Sequence, residues 1–239
     1  MINVLLPSMG SSSFFKESFF PKPLIEVGGK TILETVFDNF TDLHDRQFIY
    51  IFSQDDCSQF HLDKSVRLLD DKAKVLVLKN QTAGALCTSL IACEFIDNDE
   101  PLVISNSDQV IDIDFNEVVK SFREKNADAG VITFNSIHPR WSYIRDENGE
   151  VVEVAEKRPL SDKAIAGFYY YRKGCDFVAA AKRAIQKGHC TNGKYYISAS
   201  FNELILMGKK VSYFEIEKKK YHSFYSPEKI KDYEKDVIK

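Results

Sequence analysis

The stretch INVLLPSMGSSSFFKESFFPKPL, residues 2–24, decides the fold of this chain. It begins with an apolar run at 2–6, which predicts a buried strand, and continues through a serine-containing loop to Pro-Lys-Pro at 21–23. A strand that leads into such a loop is the layout of a phosphate cradle, because backbone N–H groups of the loop can face an anion. The loop holds a single glycine, Gly10, and no arginine. The sequence therefore raises the question whether this loop still binds and transforms a nucleotide.

Short apolar runs alternate with amphipathic segments through the first two thirds of the chain, which predicts parallel β-α-β units. The helix predicted at 31–40 has Thr31 and Glu34 in the spacing of a capping box. The remaining predictions for this part are strands at 47–52, 73–78, 101–105 and 129–134, a helix of open length between 53 and 72, a helix over 81–95 capped near Thr82, and a helix over 115–126.

The pattern changes after residue 140. Two alternating runs around Asn148-Gly149 predict an antiparallel hairpin that leaves the main sheet. The aromatic run at 168–171 alternates between two faces of one strand, which indicates core plus wall and not a stacking platform for bases. The elements predicted after the hairpin are strands at 164–171 and 210–216, helices that end at Gly188 and Gly208, and a last helix that begins with Ser226 as its cap.

Composition argues against several classes of partner. The net charge is -3 and the 32 basic residues are spread along the chain, so no field for nucleic acid or an anionic membrane is indicated. The five cysteines are an odd set without a C-x-x-C pair, which argues against a zinc site and a disulfide framework. No apolar run approaches the roughly 18 residues of a membrane span. We expect a cytoplasmic protein without nucleic-acid or membrane partners, and a homodimer is its default assembly.

Ligands of open α/β sheets bind beyond the carboxyl ends of the strands, so the loops there hold the candidate site. In the first loop, two prolines stiffen the backbone around Lys22, which suits a phosphate-binding cation; a lysine in a surface turn is the alternative. Further on, Gly84 among small neighbours allows close approach to a flat ligand, or serves helix packing. The strand at 101–105 leads to Asp108, a candidate Mg²⁺ ligand or a turn-capping aspartate.

Two other motifs each have two interpretations. Asp112 and Asp114 match the D-x-D string with which GT-A glycosyltransferases hold a metal-bound sugar nucleotide, but they also fit an ordinary solvated strand end. His138, Arg140 and Trp141 form a polar and aromatic cluster that lines an acceptor site or anchors the hairpin. Both questions stay open at the level of sequence.

Six blocks of the sequence carry a resemblance to known proteins: residues 2–40, TAGALCTSL at 82–90, VISNSDQVIDIDF at 103–115, residues 138–174, NGKYYISASFNELI at 192–205 and YSPEKIKDY at 225–233. Their order and spacing resemble the nucleotidyltransferase-like family of sugar-phosphate nucleotidylyltransferases, in the branch found in bacterial capsule and surface-polysaccharide loci. The resemblance implies one domain of residues 1–239 with a GT-A/Rossmann-like, three-layer α/β fold. Its central sheet would be mixed and mostly parallel, with an antiparallel hairpin excursion.

The activity implied by this resemblance joins a nucleoside triphosphate to a small phosphorylated substrate, such as a sugar phosphate, and releases pyrophosphate with the help of Mg²⁺. Lys22 would stabilise the transferring phosphate and Asp108 would hold the metal, so these two are the candidate catalytic residues. The resemblance places the nucleotide at Met9, Gly10, Ser11, Ser12, Ser13, Gln81, Thr82, Ala83, Gly84 and Ser107, and the phosphorylated substrate at Gln109, Glu156, Lys157 and Gly167.

The chain also departs from the family pattern. The family loop typically reads G-x-G-S-R-F, and here Ser12 stands at the second glycine and Phe14 at the arginine. Ala83 stands where branch members have the arginine of T-R-G-A, and Ser223 stands at the aspartate of W-x-D-x-G-T-P. Single preorganised electrostatic contacts contribute about 3 to 4 kcal/mol to a transition state. Phe14 predicts an apolar cover over the loop instead of a triphosphate clamp.

Three functions remain open on these residues. A nucleotidylyltransferase for capsule or surface polysaccharide is favoured, because Lys22, Asp108, Glu156 and Lys157 are present. A non-catalytic member that binds a nucleotide or a sugar phosphate is the competing class, since the loop arginine is absent. A GT-A glycosyltransferase is the third.

Overall fold

Strand β1 (Ile2–Pro7) lies in the interior of the sheet because its apolar side chains are buried on both faces. The computed structural model describes residues 1–10 and 13–237. In it, β1 pairs in parallel with β4 (Arg46–Ser53) on one side and with β6 (Leu102–Ser105) on the other. Strand β5 (Lys74–Leu78) follows β4, also in parallel. All four strands lie where the sequence predicts them.

The other half of the sheet is built around β11 (Lys163–Tyr171). This strand runs antiparallel to β6 on one side and to β8 (Ala129–Asn135) on the other, and β12 (Val211–Ile216) then continues the sheet parallel to β8. The strand order is therefore β5-β4-β1-β6-β11-β8-β12. The predicted α/β fold with a mixed, mostly parallel central sheet is confirmed.

Helices cover both faces of this sheet and give three layers. Phe168 and Tyr170 point into one core and Tyr169 and Tyr171 into the other, as the aromatic run predicts. None of the helices in the described ranges is long and apolar enough to cross a membrane. The helices are α1 (Ile32–Asn39), α2 (Gln54–Phe60), α3 (Leu62–Leu69), α4 (Ala85–Leu90), α5 (Cys93–Ile96), α6 (Phe115–Glu124), α7 (Gly174–Gln186), α8 (Ala199–Leu206) and α9 (Pro227–Val237).

The predicted hairpin branches off β11. Its strands are β9 (Ser142–Glu147) and β10 (Glu150–Glu156), joined by a turn at Asn148-Gly149 in which both residues have positive φ. Strand β9 contacts β11 at the Ala164–Tyr143 pair. The outer edge of β10 is covered by Asn202 of α8, whose amide accepts from Val154 N–H and donates to Val154 C=O, both at 2.8 Å. A side chain thus completes pairing that an edge strand otherwise leaves open.

Two predicted helices have other bounds in the structure. The helix predicted over 81–95 begins only at Ala85, because Gly84 has a φ of 133°, and it is divided into α4 and α5. The segment between β4 and β5 forms α2 and α3, separated by His61 with a φ of 56°. In both places the backbone leaves the right-handed helical region, which the apolar periodicity alone does not reveal.

Two small sheets were not predicted. Strands β2 (Glu26–Val27) and β3 (Lys30–Thr31) pair before α1. Strands β7 (Gln109–Ile111) and β13 (Tyr221–Ser223) pair beside the main sheet and bring the C-terminal segment to the end of β6. Segments of two or three residues are too short for a period-two pattern to be recognised.

The capping box of α1 provides a test of local stability. Thr31 Oγ1 accepts from Glu34 N–H at 3.2 Å, and Thr31 N–H donates to the Glu34 carboxylate at 2.7 Å. We expect Thr31→Ala to lower the free energy of unfolding by about 1 kcal/mol, measured by urea denaturation. Thr31→Ser retains the hydroxyl and is expected to stay close to the wild type. Equal losses in the two variants would contradict a contribution from the cap.

Candidate active site

The loops after β1 and β6 meet at the carboxyl edge of the sheet. Lys22 Nζ forms a short ion pair with the Asp108 carboxylate, and Ser107 Oγ donates to Ser8 Oγ at 3.1 Å. The two ionic side chains are 15% and 28% exposed, so both can still be reached from solvent. The structure therefore brings together the two residues predicted to be catalytic.

Lys22 begins a short 3-10 helix, Lys22–Leu24, which is held by a hydrogen bond from Leu24 N–H to Pro21 C=O at 2.9 Å. Its position is consistent with the stiffening predicted from the two prolines. The Lys22 ammonium also lies 5.8 Å from the centre of the Phe15 ring. The Lys22 ammonium thus contacts an aromatic ring as well as the carboxylate.

Asp108 is fixed through its backbone by the C-terminal segment. Phe224 N–H donates to Asp108 C=O at 2.7 Å, and the pairing of β13 with β7 sets Ser223 opposite Gln109. Ser223, at which the sequence resemblance implies an aspartate in family members, therefore lies beside the candidate metal residue. A serine hydroxyl offers Mg²⁺ a neutral oxygen there in place of a charged one.

Gln109 and Gly167 hold the loop that carries Asp108. The Gln109 amide nitrogen donates to Ala166 C=O at 2.8 Å and to Gly167 C=O at 3.0 Å, while its oxygen accepts from Asn106 at 3.1 Å and from the Tyr221 hydroxyl at 3.3 Å. Burial raises the pKa of the Tyr221 hydroxyl, so this group stays protonated and can donate. The Gln109 side chain is 2% exposed, with its polar atoms bonded inside the protein. Contact of Gln109 and Gly167 with a substrate stays a prediction.

Gly84 approaches another backbone segment closely. Tyr195 N–H donates to Ala83 C=O at 2.8 Å, and Leu86 N–H donates to Tyr195 C=O at 3.1 Å. A Cβ atom on Gly84 would lie 2.4 Å from the Tyr195 oxygen. Packing against residue 195 is therefore enough to require a glycine. Thr82 bonds to Thr88 within the same turn at 2.6 Å.

A cavity of about 430 Å³ adjoins Lys22. Met9, Gly10 and Gln81, three of the residues predicted to bind the nucleotide, contribute to its wall. Lys16 and Lys79 also line it and were not predicted, although Lys79 follows β5 directly. Among the other nucleotide-binding candidates, Ser13 and Ala83 are exposed, and Ser11 and Ser12 lie outside the described residues.

The aromatic residues of this loop partly follow the expected apolar cover. Phe14 meets Tyr225 edge to face, with ring centres 5.8 Å apart. Phe19 and Phe20 pack on Phe60 at 5.8 and 6.0 Å and remain 80% and 50% exposed. The loop thus contacts both α2 and the C-terminal segment through rings.

Glu156 and Lys157 lie at the end of β10, on the hairpin. The Glu156 carboxylate accepts from Ser142 in a short hydrogen bond and from Ser198 at 2.9 Å. Burial raises the pKa of Glu156 above its usual range. Lys157 has a φ of 56°, and its ammonium donates to the Tyr196 hydroxyl at 2.8 Å. These groups could bind hydroxyls and a phosphate of a small polar ligand.

The acidic residues offer one carboxylate suited to Mg²⁺ at this edge. In residues 1–10 and 13–237, no group of three or more His, Cys, Asp or Glu side chains is arranged to hold a metal. Mg²⁺ is commonly bound by one or two carboxylates together with substrate phosphates, and Asp108 fits that mode. Asp114 instead caps α6, because its carboxylate accepts from Asn116 N–H at 2.8 Å.

A family model for nucleotidyl transferases matches residues 18–220 of the chain. The chain belongs to the nucleotidyl transferase family. UTP–glucose-1-phosphate uridylyltransferase AglF of Haloferax volcanii is 24% identical to it over 211 residues, which are 82% of this chain and 80% of that protein. Mannose-1-phosphate guanylyltransferase catalytic subunit beta of Drosophila pseudoobscura pseudoobscura is 28% identical over 164 residues, 63% of this chain and 42% of that protein.

A solved structure agrees with the fold of this nucleotidyl transferase. The nucleoside-diphosphate-sugar pyrophosphorylase of Vibrio cholerae RC9 superposes with a TM-score of 0.80 and 21% sequence identity. The match covers 98% of this chain and 99% of the other. At that identity the likeness supports the fold.

Gly167 allows a test of how the Asp108 loop is held. Its φ is 62°, and an added Cβ would lie 2.2 Å from Asn106 Nδ2, whereas Gly149 has a φ of 83° with open space around it. Both alanine variants are strained by the left-handed backbone conformation, and only Gly167→Ala also overpacks its surroundings. We expect Gly167→Ala to lose about 1 to 3 kcal/mol more unfolding free energy than Gly149→Ala, measured by denaturant titration. Equal losses would mean that the loop yields to the new methyl group.

Proposed function

We propose that this chain is a sugar-phosphate nucleotidylyltransferase, which joins a nucleoside triphosphate to a small phosphorylated substrate and releases pyrophosphate. The observation that carries the proposal is the contact of Lys22 with Asp108 at the carboxyl edge of the sheet, in a member of the nucleotidyl transferase family. The names of the two curated relatives, a uridylyltransferase and a guanylyltransferase for sugar 1-phosphates, support it.

In the proposed reaction, a phosphate oxygen of the acceptor forms a bond to the α-phosphorus of the triphosphate. The bond from that phosphorus to the oxygen that bridges the α- and β-phosphates breaks, and pyrophosphate leaves with that oxygen. Such a transfer needs positioning and charge neutralisation more than a protein nucleophile. The Lys22 ammonium is suited to neutralise charge on the transferring phosphate. Because Lys22 is paired with Asp108, a phosphate that binds the Lys22 ammonium would compete with that contact.

Asp108 is proposed to hold Mg²⁺ together with oxygens of the substrates. When bound, the ion would neutralise phosphate charge and orient the phosphates. Met9, Gly10 and Gln81 would border the nucleotide, since they line the cavity beside Lys22. Glu156 and Lys157 would contact the acceptor, because the carboxylate and the ammonium are the polar groups at the end of β10.

We further propose a role in bacterial capsule or surface-polysaccharide synthesis, which rests on the resemblance of the sequence blocks. We also propose that residues 1–239 form a single domain and that the protein acts in the cytoplasm, where nucleoside triphosphates are available. A homodimer is proposed as its assembly, as is common for enzymes of this size.

A non-catalytic binding protein is the second candidate, and the loop carries that alternative. At position 14 the structure has a phenyl ring against Tyr225 in place of a cation, and Ser223 stands beside Asp108 in place of a second carboxylate. A GT-A glycosyltransferase has less support, because Asp114 of its D-x-D string is used as the cap of α6.

Pyrophosphate release separates these functions. The protein is incubated with Mg²⁺, each of the nucleoside triphosphates and a panel of sugar 1-phosphates and other phosphorylated metabolites. We expect pyrophosphate with at least one pair of substrates. Nucleotide binding without pyrophosphate release across the panel would favour the non-catalytic candidate. In a separate incubation with a nucleotide sugar, transfer of its sugar would favour the glycosyltransferase.

Replacement of Asp108 tests its assignment as the metal residue. We expect Asp108→Asn to lower Mg²⁺-dependent turnover by on the order of 10²-fold or more, while the melting temperature shows an intact fold. Asp112→Asn removes an exposed carboxylate from the following loop and serves as the matched control, with turnover expected to stay near that of the wild type. If Asp108→Asn is as active as Asp112→Asn, Asp108 does not hold the metal.

Addition of cations tests the path of the triphosphate. The double variant Phe14→Arg with Ala83→Arg is expected to tighten triphosphate binding by about 1 to 3 kcal/mol, the range for hydrogen bonds to charged groups. Calorimetry measures the affinity. Leu68→Arg with Ile91→Arg adds the same charge at two exposed positions outside the cavity wall and is the control. Unchanged or weaker affinity in the first variant would show that the triphosphate does not lie along this loop.

A further inference from the structure

Arg140 is a cation at the site that the proposed mechanism leaves unused. It lies in the segment between β8 and β9, and the centre of its guanidinium is 3.4 Å from the centre of the Tyr225 ring and 4.6 Å from that of the Trp141 ring. Such stacking holds the guanidinium by its faces. The position of this cation is therefore set by two aromatic rings.

Both rings belong to the structure that surrounds Asp108. Tyr225 follows Phe224, whose N–H donates to Asp108 C=O at 2.7 Å. The Trp141 ring packs on Tyr221, with centres 5.4 Å apart, and the Tyr221 hydroxyl donates to Gln109. Arg140 thus reaches the neighbourhood of Asp108 from the hairpin side, whereas Lys22 reaches it from the loop after β1.

The charge of Arg140 is not neutralised within the described part of the chain. No carboxylate among residues 1–10 and 13–237 forms an ion pair with it, whereas Arg145 and Arg158 on the same hairpin both pair with Glu153. The N–H groups of a stacked guanidinium point outward in the plane of the group, and this planar fork matches two oxygens of a phosphate. Stacking without an acidic partner leaves those donors available for a ligand.

The loop after β1 supports this arrangement from the other side. Phe14 contacts Tyr225 edge to face at an interplanar angle of 71°, so the Tyr225 ring contacts both Phe14 and the Arg140 guanidinium. An aromatic residue at position 14 therefore helps to fix the ring on which the cation rests.

We propose that Arg140 is a phosphate-binding residue of the active site. The identity of the phosphate rests on the proposed function, because either the nucleoside triphosphate or the phosphorylated acceptor can supply it. Lys22 is engaged with Asp108, and a triphosphate carries more negative charge than one lysine neutralises. A further cation held near Asp108 would help to neutralise that charge.

Direct binding of inorganic pyrophosphate tests the residue without turnover. Calorimetry is carried out on the wild type, Arg140→Gln, Arg140→Lys and the control Arg145→Gln, which removes a surface arginine of the same hairpin. We expect Arg140→Gln to weaken pyrophosphate binding about tenfold or more, Arg140→Lys to lie between it and the wild type, and Arg145→Gln to match the wild type. Melting temperatures monitor the fold. If Arg140→Gln binds pyrophosphate as tightly as the control Arg145→Gln, the proposal is overturned.

Steady-state kinetics of the same variants distinguish the source of the phosphate. A raised KM for the nucleoside triphosphate alone would assign Arg140 to that substrate, and a raised KM for the acceptor alone would assign it to the acceptor. If the wild type releases no pyrophosphate from any substrate pair while Arg140→Gln still loses pyrophosphate affinity, the proposed function fails and the phosphate site stands. Unchanged pyrophosphate affinity in Arg140→Gln overturns the site, whatever the turnover.

Discussion

The ion pair between Lys22 and Asp108 joins two loops that belong to neighbouring strands of the sheet. This contact attaches the end of the loop after β1 to the end of β6. Both partners stand on stiff supports, a proline-flanked turn for Lys22 and a hydrogen-bonded strand end for Asp108. Because each side chain keeps some exposure, phosphate or metal can reach both partners of the pair.

The site also depends on β11, because the strand that pairs with one side of β11 changes along its length. On one side of β11, residues 168–171 pair with β6 and Ala164 pairs with the hairpin. On the other side, β8 pairs with both halves of β11, with an irregularity between Ile165 and Tyr169. Gly167 lies within this irregularity, and Gln109 bonds to its backbone. The orientation of the Asp108 loop is therefore tied to the position at which the hairpin leaves the main sheet.

Local sequence patterns predict most elements of this fold. Apolar runs identify β1, β4, β6 and β8, and Asn148-Gly149 identifies the hairpin, because these signals lie within a few residues of one another. The position of Lys22 and Asp108 at one edge follows from the rule for carboxyl ends of strands. The partners of Gly84 and Gln109 could not be predicted, since they are backbone atoms of residues 195, 166 and 167, far along the chain.

The attachment of the hairpin has a consequence for how such a protein diversifies. The strands that carry Lys22 and Asp108 are fixed by their mutual register, whereas Glu156 stands on a side branch whose outer strand is closed by the Asn202 amide. Insertions or substitutions between residues 136 and 160 can therefore alter the hairpin while the register of β1 with β6 stays unchanged. A lineage could alter the surroundings of Glu156 by changing one contiguous stretch of its gene and still inherit the contact of Lys22 with Asp108.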